Sequence, residues 1–138
     1  MKTVPLQRNK GGMYAMSDMM TGDKVRALMQ PLMDKGCFFE YFYEKGGDSS
    51  CVYICRFKKG KDFFDWREVS GAEEVHIVTC VKGEYGFPNL QALYKKEFRK
   101  FRFQHLFQKA TMDEKRAFVA QLLNSELSSK PDFFGLKF

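Results

Sequence analysis

The sequence predicts an α+β fold: a four-stranded antiparallel meander with helices, in the order α-β-β-β-β-α-α, packed mainly on one sheet face. Three observations predict it. Four short runs rich in aromatic and β-branched residues follow one another between residues 37 and 81. The segments that join them are short and carry glycine, which suits hairpins and leaves no length for parallel crossovers. Apolar residues at helical spacing lie on both sides of this block, so helices and strands segregate along the chain.

The first helix is expected to begin at Ser17 or Thr21 and run toward Lys35. Val25, Leu28, Met29, Leu32 and Met33 repeat there at helical spacing. Pro31 lacks a backbone donor, which predicts a kink or break, and Gly36 offers a C-terminal stop. Ahead of this helix, residues 1–16 open on a polar stretch with Gly11 and Gly12, and read as a disordered segment before a single α+β domain at 17–138. Met13 or Met16 is a candidate natural start. Six of the eight methionines fall between Met13 and Met33 and read as adaptable core filling.

The strands are expected at 37–43 (CFFEYFY), 51–57 (CVYICRF), 63–69 (FFDWREV) and 75–81 (VHIVTCV). Their turns contain Gly46 and Gly47, then Gly60 in a lysine-rich tip (KKGKD), then Gly71. Neither sheet face is cleanly polar. Phe38, Glu40 and Phe42 share one side of the first strand, with Tyr41 and Tyr43 on the other. Either helices cover both faces, or an aromatic face is left open for a partner.

Pro88 or Asn89 opens a basic helix over 90–109 (LQALYKKEFRKFRFQHLFQK). At 100° per residue, Leu90, Leu93, Tyr94, Phe98 and Phe101 share one face, and Lys95, Lys96, Arg99 and Arg102 the opposite one. Phe103, Leu106 and Phe107 fall out of that register, which predicts a break or a second buried face near Phe103. Thr111 and Glu114 form a capping box for the last helix. Phe118, Val119, Leu122 and Leu123 supply its buried side, and Ser128, Ser129 and Pro131 end it. The tail 132–138 (DFFGLKF) is apolar and folds back onto the domain, or else serves as a docking peptide or homodimer exchange segment.

At 138 residues the chain is one domain's length, and a chain of this size buries roughly 70% of its unfolded surface without staples. The four cysteines, Cys37, Cys51, Cys55 and Cys80, form no C-x-x-C pair and read as buried, reduced thiols. Cys51 and Cys55 on one extended strand would stand about 13 Å apart, too far for a disulfide. No secretory signal and no membrane-spanning apolar run is visible, so a cytoplasmic location is expected.

The search for chemistry is mostly negative. No phosphate-cradling loop, zinc-ligand spacing or cofactor fingerprint occurs, and no catalytic, metal or cofactor residue is assigned. His76 and Cys80 lie four residues apart on one strand face, beyond reach of each other as a nucleophile pair, so His76 reads as a packed histidine. His105 titrates near neutrality if exposed. Glu40 stands among aromatics, and its burial would mark an acid–base or ligand site.

Charge is the positive signal. Twenty-three basic residues against seventeen acidic ones give a net charge of +6, which favours anionic partners. The expected function is a small basic, non-catalytic interaction domain that binds an acidic protein or nucleic acid. Its surface would combine the tip lysines Lys58, Lys59 and Lys61 with the ridge Lys95, Lys96, Arg99 and Arg102. Tyr94 and Phe103 would flank it and stack on bases if the partner is single-stranded nucleic acid. The alternative is a small-ligand binder or enzyme with an aromatic pocket around Glu40.

Overall fold

The computed structural model describes residues 3–5, 13–45, 51–70 and 73–138, with side chains from residue 21 onward. The α+β class holds, and the sheet is wider than expected. Among the described residues, six antiparallel strands run in the sequential order β1-β2-β3-β4-β5-β6. The four expected strands are its centre: β2 (Phe38–Lys45), β3 (Cys51–Lys59), β4 (Asp62–Val69) and β5 (Val75–Val81). Two three-residue strands flank them, β1 (Thr3–Pro5) on β2 and β6 (Glu84–Gly86) on β5. The sequence pattern misses β6 because it is too short to show alternation. Val81 pairs with Glu84, and Lys82 and Gly83 between them take φ +54° and +80°. Two left-handed residues are what a tight hairpin requires.

The expectation of disorder over 1–16 falls mostly on residues outside the described ones, and the reading of Met13–Met20 as core concerns side chains outside them. Helix α1 spans Met13–Leu28, and the predicted break occurs at Met29. Helix α2 (Gln30–Asp34) then begins with Pro31 in its first turn. The break therefore precedes the proline, because a proline nitrogen is tolerated where the helix has no acceptor for it anyway. Gly36 takes φ +91° and ends the segment, as expected.

The core forms on the sheet face that carries Cys55, Phe57, Phe64, Trp66 and Ile77. Val25, Met29 and Leu32 pack on it from α1 and α2, and Val119, Ala120, Leu123 and Leu127 from α5 (Met112–Ser129). Burying each of the large side chains contributes roughly 1.5–3 kcal/mol. The tail folds back as the first of its readings expects: Phe133 and Leu136 are buried, and Phe133 lies 4.9 Å from the Phe64 ring. The backbone of Phe133 and Leu136 closes on itself by two hydrogen bonds of 2.9 Å. Among the described residues, no helix is long and apolar enough to cross a membrane.

The basic segment is two helices rather than one: α3 (Leu90–Leu93) and α4 (Lys95–Gln104). One break falls at Tyr94, which the sequence did not announce, and α4 ends at Gln104, the break expected near Phe103. Tyr94 leaves helical geometry (φ −124°, ψ 48°), and its hydroxyl donates to the Glu126 carboxylate of α5. That anchor re-aims the chain so that the following residues lie along α5.

Candidate interaction surface

Asn89 starts the segment, its side-chain oxygen accepting from the Ala92 N–H at 3.1 Å. After the Tyr94 break, α4 docks through two rings. Phe101 stacks on Phe118 with centroids 4.3 Å apart and planes 17° from parallel, and Phe98 meets the same ring edge-on at 4.9 Å. With Phe98 and Phe101 turned inward, the 100° spacing turns Lys96, Arg99, Lys100 and Phe103 to solvent. Lys95 and Arg102 lie on the flank. All five cations are exposed.

His105 ends α4. Its Nδ1 donates to the Phe101 carbonyl at 2.9 Å and its Nε2 to the Glu114 carboxylate at 3.1 Å. Both ring nitrogens thus face acceptors. The Phe101 carbonyl and the Glu114 carboxylate raise the imidazole pKa above its ordinary value. Burial and the same Glu126 contact push the Tyr94 phenol up as well.

The charges of α4 differ from those around it. Lys24 pairs with Asp113, Lys109 and Lys115 with Glu73, Arg116 with Glu68 and Asp113, and Lys130 with Glu126. Lys95, Lys96, Arg99, Lys100 and Arg102 make no such pair among the described residues. Helix α4 holds five cations against one carboxylate, Glu97. Phe103 sits among them 71% exposed, and Leu93, Leu106 and the fully exposed Phe107 extend the apolar surface at either end.

The lysine tip does not join this surface by any hydrogen bond or ion pair among the described residues. Lys58 pairs with Glu40 at 3.1 Å, Lys59 donates to the Lys35 carbonyl at 2.9 Å, and Lys61 is exposed. Lys59 also stands 5.9 Å from the Phe138 ring, so its environment is the C-terminal tail. Tyr94 is half-buried against α5 and Phe103 is exposed, which sets these two aromatics in different surroundings.

Beside α4 runs a groove of about 560 Å³. Phe98, Phe101, Phe118 and Val119 form its apolar part, β5 residues Val75–Val78 one wall, and Arg102 and Lys115 contribute cations.

Comparison with family models, with curated proteins and with solved structures gives no match. The surface must therefore be read from its own geometry.

Two buried ionic clusters escaped the sequence reading. On the sheet face opposite the main core, Asp65 is fully buried and holds Arg56 at 2.8 Å and Arg67 at 2.7 Å. Arg56 lies over the Phe63 ring at 3.8 Å and near Phe42 at 5.0 Å. Strand pairing explains the cluster: Arg56 sits directly opposite Asp65, and opposite charges across a ladder attract. In the main core, Glu68 accepts from Trp66 Nε1 at 2.9 Å and from both Arg116 Nε and Nη2. Nearby Cys55 is buried, and burial raises its thiol pKa well above the usual value.

The face around Asp65 carries exposed Phe38 and Tyr85, but Phe42, Ile54, Val78 and Cys80 on the same face are buried, so it is not a continuous open aromatic surface. Its charge is balanced, with Arg56, Lys58 and Arg67 offset by Glu40, Glu44 and Asp65 on the same face. Glu40 is half-buried and paired with Lys58, so burial does not mark it as an acid–base group. His76 is exposed and 3.5 Å from Glu74, not packed as expected, because its strand face points away from the main core. All four cysteines are free thiols, three of them buried. Among the described residues, no three His, Cys, Asp or Glu side chains gather to hold a metal ion.

Proposed function

We propose that this is a non-catalytic interaction domain that docks an acidic protein through the outward face of α4. The observation that carries the reading is the concentration, on one ten-residue helix, of five cations that pair with no carboxylate among the described residues, in a protein that otherwise pairs many of its charges. Unpaired surface charge speeds encounter with an anionic partner and fixes its orientation. Exposed Phe103, Leu106 and Phe107 supply the apolar contact that charge alone does not. The free thiols fit a reducing cytoplasmic compartment.

Nucleic acid is the second reading, favoured by the seating of Phe103 among Lys96, Arg99 and Lys100. A base stacked on that ring would place its phosphates near the three cations. The balanced charge of the sheet face around Asp65 does not extend such a site.

The test is capture from the native cell before and after nuclease treatment, with wild-type protein and a Lys96→Glu, Arg99→Glu variant. A protein partner survives nuclease and is lost on charge reversal. A ligand that nuclease removes selects the second reading. Capture unaffected by charge reversal would reject α4 as the working surface.

A further inference from the structure

We infer that the groove beside α4 takes an extended acidic segment of the partner as an added strand on the free edge of β5. This rests on α4 being the partner surface and specifies how the partner is held.

Among the described residues, strand β6 pairs only with Thr79–Val81, so Val75–Val78 hydrogen-bond in the sheet to β4 alone. The groove is lined by all four of these residues. Consecutive strand residues point to opposite faces, so a groove that touches four in a row runs along the edge, where backbone N–H and C=O groups face outward. Such an edge is a template for another strand. The four residues span about 13 Å, room for a short strand.

The opposite wall selects the side chains. Lys95, Arg99 and Arg102 stand at i, i+4 and i+7 on one flank of α4. Arg102 lines the groove itself. Of the carboxylates at the groove mouth, Glu73 is engaged by Lys109 at 2.7 Å, and Glu74 lies 3.5 Å from His76. Among the described residues the flanking cations form no ion pair with them, and the rings of Phe98 and Phe101 offer an apolar seat. A segment alternating apolar and acidic residues satisfies edge, seat and stripe together. A phosphodiester backbone offers acceptors only, so it leaves the carbonyls of β5 unpaired. A second copy of this chain, paired edge to edge about a two-fold axis, would oppose two stripes of like charge.

The probe is a capped, fluorescein-labelled peptide about nine residues long alternating valine with glutamate. Its binding to the full chain is followed by fluorescence anisotropy, and amide exchange is followed by NMR. We expect the outward-facing amides among Val75–Val78 to exchange at least about tenfold more slowly with peptide bound. Arg99→Glu with Arg102→Glu should weaken binding at least about tenfold. N-methylation of every second peptide amide should weaken it similarly in one of the two registers. If N-methylated peptides of both registers bind as well as the parent, strand addition is wrong while the α4 reading stands. If the double charge reversal leaves affinity unchanged, the α4 reading fails too. Equal binding of a lysine–valine peptide, complete displacement by a short oligodeoxythymidine, a dimer of the free chain with the same amide protection, or no binding at millimolar peptide would each overturn the proposal.

Discussion

Phe101 of α4 stacks almost flat on Phe118 of α5, and this contact decides which side of α4 meets water. The helix has no fully buried residue of its own. Its orientation therefore depends on two half-buried rings, Phe98 and Phe101, set against one ring of its neighbour.

Replacing Phe118 with alanine should release that dock. The expected loss is about 2–4 kcal/mol in urea unfolding, somewhat below the range for a fully buried phenylalanine. Amides of α4 should lose protection while β3 and β4 keep theirs. Uniform loss of protection across the sheet would show that α4 is not an independent layer.

Arg116→Ala should cost about 3–5 kcal/mol, because Glu68 is only 7% exposed and would be left charged without its guanidinium. Combining Glu68→Gln with Arg116→Met should restore much of that loss. The amide still accepts from Trp66 Nε1, and no charge remains buried. Equal stability of the single and double variants would argue that the pair's charge is irrelevant.

His105 gives a pH dependence with a definite sign. Its folded pKa lies above the unfolded one because the Phe101 carbonyl and the Glu114 carboxylate favour the imidazolium. The resulting stabilisation is complete below the ordinary histidine value of about 6.5 and fades as pH rises through the higher folded value. An NMR titration should show the His105 midpoint fall in Glu114→Gln. The difference in melting temperature between wild type and His105→Gln should shrink over the same rise in pH. An unmoved midpoint would remove Glu114 from the account.

Gly22 should resist even alanine. A Cβ there would sit 2.5 Å from Cδ2 of Tyr41, where α1 crosses β2. Alanine gains about 0.8–1 kcal/mol of helix propensity, but such overpacking costs about 1–3 kcal/mol. The net effect should be destabilising in thermal or urea unfolding. A more stable Gly22→Ala protein would mean that the Tyr41 ring moves aside freely.

The tail should behave as part of the core. Phe133→Ala should cost about 3–5 kcal/mol, since Phe133 is 1% exposed against Phe64. Unfolding by urea measures it. A loss below about 1 kcal/mol would class the tail as a loose appendage.

Much of the architecture was legible because it rests on local signals. The Thr111–Glu114 capping box forms with both of its bonds, at 2.9 and 3.1 Å. Periodicity and glycine turns placed β2 to β5 to within a few residues. What failed depended on residues distant in sequence. The break at Tyr94 follows from its bond to Glu126, thirty-two positions away, and no local pattern announces it. The packed role expected of His76 failed because strand alternation alone does not say which face is covered. The ridge Lys95, Lys96, Arg99 and Arg102 was readable from helical spacing, and Lys100 joins it. The break at Tyr94 leaves that spacing intact because all five belong to α4. The groove was not readable, since it joins β5 to three helices that only the tertiary structure brings together.

The crowding of like charge on α4 has a consequence for ionic strength. Five cations share a helix about 15 Å long, within two screening lengths at physiological salt. Their mutual repulsion strains the isolated chain, so added salt should raise its melting temperature. The same salt should weaken any complex formed with an anion. Folding and association would then respond to salt in opposite directions, a pairing that a surface of neutralised charges would not produce.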